Sequence, residues 1–145
     1  MKPEGEPVST AAPEETIRRF LKAWAVGDTA RSFPYIAEDA VYSLHISNEV
    51  LPFGGETVGR PAIEAALRTM REQFDYLLFR PYNFVADGDA VRVRVEHMYR
   101  HKASGEVLAG NFRAVFVVRD GLVVRCDEYH DRAMVEAFMR LFGGG

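Results

Sequence analysis

Four side chains in this sequence can move a proton or stabilise a developing charge: Tyr42, His97, Glu128 and Asp131, with Tyr99 and His130 as near neighbours. They show no HxxxH or CxxC spacing, and the lone Cys126 excludes both a cysteine-cluster zinc site and an intramolecular disulfide framework. His97, His130, Glu128 and Asp131 also resemble a metal set, but with no such spacing to support it the chemistry expected is proton transfer without a metal or cofactor. A carboxylate in apolar surroundings is driven toward protonation, whereas a neighbouring imidazolium favours its charged form. A Glu–His pair can therefore hold a shareable proton near neutral pH, as a general base must. A tyrosine hydroxyl beside such a pair can donate a hydrogen bond to an oxyanion or a leaving oxygen.

Each of these groups has a structural job it could do instead. His97 can be a wall histidine satisfied by a neighbouring side chain or a trapped water. An ionised glutamate left unpaired in an apolar cavity is costly, so Glu128 must be paired, neutral or turned to solvent. Tyr42 and Tyr99 can be amphipathic wall residues, and His130 can sit partly exposed at a strand end. Asp131 precedes the helical run RAMVE, where an aspartate N-cap contributes about 1 kcal/mol. Trp24 can belong to the core or to a pocket wall.

For these residues to meet, the chain must gather them on one surface. From Pro13, the residues Ile17, Phe20, Leu21 and Trp24 recur with the i, i+3, i+4, i+7 spacing of an apolar helix face, and Gly27-Asp28 ends that helix. A shorter helix is expected over residues 30–37, with Pro34 in its first turn or bending it. Residues 39–47 read as a strand that runs into the loop LPFGGE. Gly59-Arg60-Pro61 then opens a third helix, with Ile63, Ala66, Leu67 and Met70 on one side, ending near Phe74.

After that helix the pattern alternates. A strand over residues 76–86 contains Pro81, which belongs at an edge or a bulge, and Asp87-Gly88 marks a hairpin. Val91, Val93, Val95, His97 and Tyr99 share one face of the next strand, while Arg92, Arg94, Glu96 and Arg100 share the other. Two more strands, over 107–119 and 122–130, are separated by Asp120-Gly121. The parity of the last one groups Cys126, Glu128 and His130, and that of the first groups Tyr42 with Leu44 and leaves His45 outside. A helix from Asp131, with Met134, Ala137, Phe138 and Leu141 on one stripe, closes the chain. This order predicts an α+β fold.

The same order resembles the SnoaL-like family of the nuclear transport factor 2-like superfamily over residues 13–142. The fragments that carry the likeness are FLKAWAVGD, AEDAVY, VGRPAIEAAL and FVVRDGLVVRCDEYHD. The resemblance implies a cystatin-like cone, in which a curved antiparallel sheet wraps around N-terminal helices and a C-terminal helix closes it. Polar residues at the base of the conical cavity then decide the chemistry. The family includes polyketide cyclases, ketosteroid isomerases and limonene-epoxide hydrolases, beside pocket proteins with no known activity.

Against the limonene-epoxide hydrolase pattern, Tyr42 falls on the catalytic tyrosine, His97 on the first catalytic aspartate and Glu128 on the second. Leu44 and Val95 stand where that pattern has an asparagine and an arginine. Against the ketosteroid isomerase pattern, Phe20 stands at the oxyanion tyrosine, Leu44 at the base aspartate and a position near Arg113 at the second acid, so that mechanism does not carry over. Cyclases of the family use a His–Asp pair, whose equivalents here are His97 or His130 with Glu128 or Asp131. The implied catalytic set is Glu128, His97, Tyr42 and Asp131. The implied substrate contacts are Tyr99, Trp24, Leu44, Phe112, His130 and Phe20, with no metal and no cofactor.

The chain has 145 residues, of which 48% are hydrophobic and 27% charged, the balance of one domain with a substantial core. A net charge of -3 and scattered arginines offer no basic field for nucleic acid. No stretch approaches the roughly 18 apolar residues of a membrane helix, and the lone cysteine fits a reducing compartment, so a cytoplasmic protein is expected. Residues 1–12 are expected to be a disordered tail and 143–145 a flexible end. Two cones are expected to pair through the charged outer sheet face as a homodimer. The expected function is acid–base catalysis of an isomerase, cyclase or hydrolase type on a small, largely apolar substrate. Glu128 and His97 would form the pair, and Tyr42 or Tyr99 the donor. The alternative is a non-catalytic ligand-binding or structural dimeric pocket protein.

Overall fold

The computed structural model describes residues 12–51 and 53–142. The expected tail, apart from Ala12, and the expected end at 143–145 lie outside the described residues.

Helix α1 spans Pro13–Ala25, with Pro13 in its first turn, Glu14 and Glu15 complementing the positive end of the helix dipole, and Lys22 in the last turn. It buries the stripe read from the sequence: Ile17, Phe20, Leu21 and Trp24 are all less than one-tenth exposed. The chain turns at Gly27, whose φ of 76° suits glycine. The shorter helix is two elements rather than one. Helix α2, Thr29–Ser32, is capped by the Asp28 carboxylate, which accepts from the Arg31 amide at 3.1 Å. Pro34 then sits in a 3-10 turn, Phe33–Tyr35.

Six strands follow: β1 (Ile36–Leu44), β2 (Gly55–Val58), β3 (Phe74–Asp87), β4 (Ala90–His101), β5 (Val107–Arg119) and β6 (Leu122–Tyr129), with helix α3 (Arg60–Gln73) between β2 and β3 and helix α4 (Arg132–Phe142) at the end. They form one curved sheet in the order β2-β1-β6-β5-β4-β3. The architecture is the expected α+β one, and β3 to β6 make an antiparallel meander. Two details depart from the sequence reading. Part of the expected loop LPFGGE is the start of edge strand β2, paired antiparallel with β1. Strand β1 lies parallel to β6, because α3 and the meander separate the two in sequence and no hairpin fixes their relative direction.

Strand β3 is the other edge, which is where Pro81 costs no ladder hydrogen bond. Its pairing with β4 slips between Tyr76 and Leu78 and again between Tyr82 and Val85. The first slip keeps Phe79 on the inner side, opposite His97, where strict alternation from Tyr76 would have turned it outward. Val91, Val93 and Val95 are at most 1% exposed, and the inner residues of β5 (Phe112, Ala114, Phe116 and Val118) complete the concave wall. Helix α1 lies across this wall, its Phe20 ring edge-on to Phe116 and its Trp24 edge-on to Tyr76.

The loop between β1 and β2 has almost no slack. A Cβ on Gly54 would lie 2.5 Å from the Ile46 carbonyl oxygen and 2.9 Å from that of Ser47, both backbone atoms that cannot swing aside. Gly54→Ala is therefore expected to cost about 2 kcal/mol in a urea titration, as over-packing typically does.

Candidate functional site

The concave side of the sheet, α1 and α3 enclose two adjoining cavities of about 60 and 80 Å³. Each exceeds the roughly 10–15 Å³ that one water needs on this measure. Trp24, Leu67, Phe79, Phe112 and Glu128 border both, so Glu128 is the one carboxylate at the waist between them. The inner cavity is walled almost entirely by hydrocarbon and aromatic rings, among them Phe20, with Tyr42 and Cys126 as its other polar groups. The outer cavity holds His97, Tyr99, His130 and Tyr76, and it is bordered by Leu44, by the β1–β2 loop, and by Val135 and Met139 of α4.

Strand parity places these groups. Tyr42 and Leu44 of β1 pair with Cys126 and Glu128 of β6, which in turn face Phe116 and Ala114 of β5. Of the residues singled out from the sequence, only Asp131 lies away from both cavities. It is exposed, and its carboxylate accepts from the Met134 amide at 3.2 Å as the cap of α4. Asp131→Ala is expected to lower stability by about 1 kcal/mol in thermal unfolding, without affecting anything that happens in the cavities. His45 sits on the outer surface, bonded through Nε2 to Asp127 Oδ1 at 3.0 Å and stacked on Tyr129.

The expected acid–base pair has a different partner. Glu128 Oε1 is 3.1 Å from Nε2 of His130, two residues further on and just past the end of β6, with both side chains mostly buried. His97 is on β4, and β5 lies between β4 and β6, so a whole strand separates it from Glu128. What His97 meets is aromatic: Tyr99 stacks on it with ring centroids 4.4 Å apart, and Phe112 and His130 lie at 5.7 and 6.0 Å. Phe112 stacks on His130 in turn, at 4.5 Å. The rings form a continuous layer that holds both imidazoles in fixed orientation.

Burial governs the protonation of this layer. Desolvation and the neighbouring His130 push the His97 pKa down to about 4, so its imidazole is neutral at pH 7. Its Nδ1 is occluded and has no hydrogen-bond partner. The Tyr42 and Tyr99 hydroxyls are held well above their ordinary range, chiefly by burial and further by other acidic groups that include Glu128. Burial also raises the Cys126 thiol, with Glu128 adding to the effect, so Cys126 is not a thiolate nucleophile. The Glu128 carboxylate acts on the Tyr42 hydroxyl by its charge and by a weak hydrogen bond outside ideal geometry. Among the described residues, no group of three or more His, Cys, Asp or Glu is placed to hold a metal ion.

Sequence reasoning missed Arg71, Tyr76 and Phe79. The Arg71 guanidinium lies over the rings of Trp24, at 4.4 Å, and Tyr76, at 4.1 Å, and donates from Nη2 to the Trp24 carbonyl at the end of α1. Its one sequence signal is position: it follows Leu67 by one helical turn and so shares the inner stripe of α3.

A family model described as the SnoaL-like domain matches residues 17–126. Curated protein sequences yield no match. Among solved structures, the chain is similar to a candidate SnoaL-like polyketide cyclase from Mesorhizobium loti, at 18% identity over 83% of this chain and 100% of that one, with a TM-score of 0.69. It is also similar to TerC co-crystallised with polyporic acid, at 20% identity over 90% and 98%, TM-score 0.76. A third is a protein with a ketosteroid isomerase-like fold from Catenulispora acidiphila in complex with trimethylamine, at 16% identity over 83% and 88%, TM-score 0.70. At these identities the solved structures establish the fold, while the family model, covering residues 17–126 and hence most of the sequence, establishes that the chain belongs to the SnoaL-like domain family.

Proposed function

We propose that this chain is a cofactor-independent acid–base enzyme of the isomerase or cyclase type, acting on a small, largely apolar substrate. The observation that carries this reading is Glu128: a single carboxylate at the junction of two otherwise mainly apolar cavities, held by His130 at 3.1 Å. A structural glutamate there would be an expensive way to fill space. A carboxylate fixed by one hydrogen bond and open to a cavity can take a proton from a bound C–H or water, while His130 keeps its orientation. The Tyr42 and Tyr99 hydroxyls, kept protonated by burial, are the donors available to a developing oxyanion. The similarity to a candidate polyketide cyclase agrees with this type of chemistry.

The test is deuterium exchange. A panel of small apolar ketones is incubated with the protein in D₂O, and loss of the α-proton signal is followed by NMR against a Glu128→Gln control. Exchange that depends on Glu128 supports the proposal. Ligand binding without exchange on any member would overturn it in favour of a non-catalytic pocket protein, the reading favoured by the small size of the two cavities.

The homodimer belongs to the same proposal. The outer face of β4 carries exposed Arg92, Arg94 and Arg100, with Glu96 paired to Arg80 at 2.7 Å, a pattern of both charge signs that can complement its own copy. Sedimentation at micromolar concentration is expected to give twice the chain mass, and a monomer would refute this part.

A further inference from the structure

The two cavities differ in what they offer a ligand. In the inner one, the Tyr42 hydroxyl and Cys126 are buried and the rest of the wall, Glu128 and the Trp24 indole aside, is hydrocarbon. In the outer one, polar atoms converge from β4, β6 and β3. Among them His97 has a definable hydrogen-bonding role. It is 3% exposed, its Nδ1 is occluded, and no acceptor meets that nitrogen. A proton on Nδ1 would be a buried donor with no partner, so the neutral ring is better served by carrying its proton on Nε2. Residue 110, directly opposite His97 on β5, is glycine. A Cβ there would stand 3.7 Å from His97 Nε2 and 3.0 Å from the Met134 methyl of α4. The Met134 methyl packs over the missing side chain, so this glycine lets α4 close against the sheet beside His97, and it is His97 itself that borders the cavity.

We infer that the site takes a carbonyl compound in one orientation, its oxygen accepting a hydrogen bond from Nε2 of His97 and its apolar tail lying past Glu128 in the cavity walled by Tyr42 and Cys126. The acid–base reading enters only in the place given to Glu128, between head and tail. A carbonyl fits the head because it accepts and has no proton to donate, matching a neutral imidazole that offers one N–H. The inner cavity fits the tail because its mainly apolar walls reward each methylene.

Trp24 is the chain's one tryptophan and borders both cavities, so its fluorescence reports occupancy. The probes are straight-chain 2-ketones from butanone to 2-decanone, titrated into the intact protein. Affinity is expected to rise roughly fourfold per methylene until the tail fills the inner cavity, and then to level off. Ala40→Val, which narrows that cavity, should move the plateau to a shorter ketone, and Cys126→Ala, which widens it, to a longer one. The shortest ketones should be unaffected by either. His97→Phe keeps the ring stack but removes the donor, and should weaken every member by about the same factor, roughly five- to tenfold.

No binding, affinity independent of tail length, tail variants that act equally on short and long ketones, or a His97→Phe protein that binds as tightly as the parent would each overturn the inference. If Ala40→Val does not fold, Cys126→Ala alone decides the tail arm. Ketones that bind with this pattern but never exchange their α-protons would overturn the catalytic proposal and leave this binding mode standing. Exchange without the pattern would do the reverse.

Discussion

Replacing Glu128 by glutamine is expected to lower the rate of α-proton exchange by about 10²–10⁴-fold, the usual contribution of a positioned general acid or base. The substitution keeps the shape of the side chain, and the amide can still meet His130, which lies at 3.1 Å in the native protein. What it removes is the ability to accept the proton. Unfolding in urea should therefore be nearly unchanged, and ketone binding at Trp24 should survive, while kcat falls. A loss of kcat together with a comparable loss of stability would point to a structural role for Glu128. Retention of full activity would remove the carboxylate from the chemistry altogether. Asp131→Ala makes the contrast sharp, since Asp131 is the other carboxylate the sequence offers and its observed bond is to the first turn of α4.

The distinction between these two carboxylates shows how far the sequence could be read. Period-two alternation is a local property, so it suffices to place Tyr42, His97, Tyr99 and Glu128 on inward faces. It also kept His45 out, and capping chemistry explained Asp131. Alternation has no reach across strands, however. Which histidine meets Glu128 depends on strand order, and β5 lies between β4 and β6, so the imidazole that arrives is His130, one residue past the end of β6. The sheet's one parallel pair, β1 with β6, is hidden for the same reason.

Phe79 was missed through a different failure of the rule. The register slip between Tyr76 and Leu78 inserts an extra residue, so that Phe74, Tyr76 and Phe79 all face inward at spacings of two and then three. No residue type in that segment announces the bulge. Arg71 was passed over because a cation on a helix is ordinarily solvated. Here its stem follows the apolar stripe of α3, and its head finds two aromatic faces and the Trp24 carbonyl at the end of α1, which also accepts from the Gly27 amide at 3.0 Å.

The same burial that makes His97 a neutral donor should also appear in the stability of the protein. Its pKa is held at about 4 in the folded state against 6.5 for an ordinary histidine, first by desolvation and then by His130. Between those values the unfolded chain binds a proton that the folded chain refuses, so stability falls as pH drops from about 6.5 to about 4 and this contribution levels off below. The loss amounts to about 3 kcal/mol at 1.36 kcal/mol for each pKa unit, a large share of the roughly 5–15 kcal/mol that holds a typical domain together. Urea titrations at pH 7, 5.5 and 4 on the parent and on His97→Phe measure it directly. The difference between the two proteins reports His97 together with its coupling to His130. The parent is expected to lose stability more steeply than His97→Phe across this window, with the two curves running parallel above pH 7. Parallel curves throughout would mean that His97 accepts its proton as readily folded as unfolded, and that the ring layer does not exclude charge.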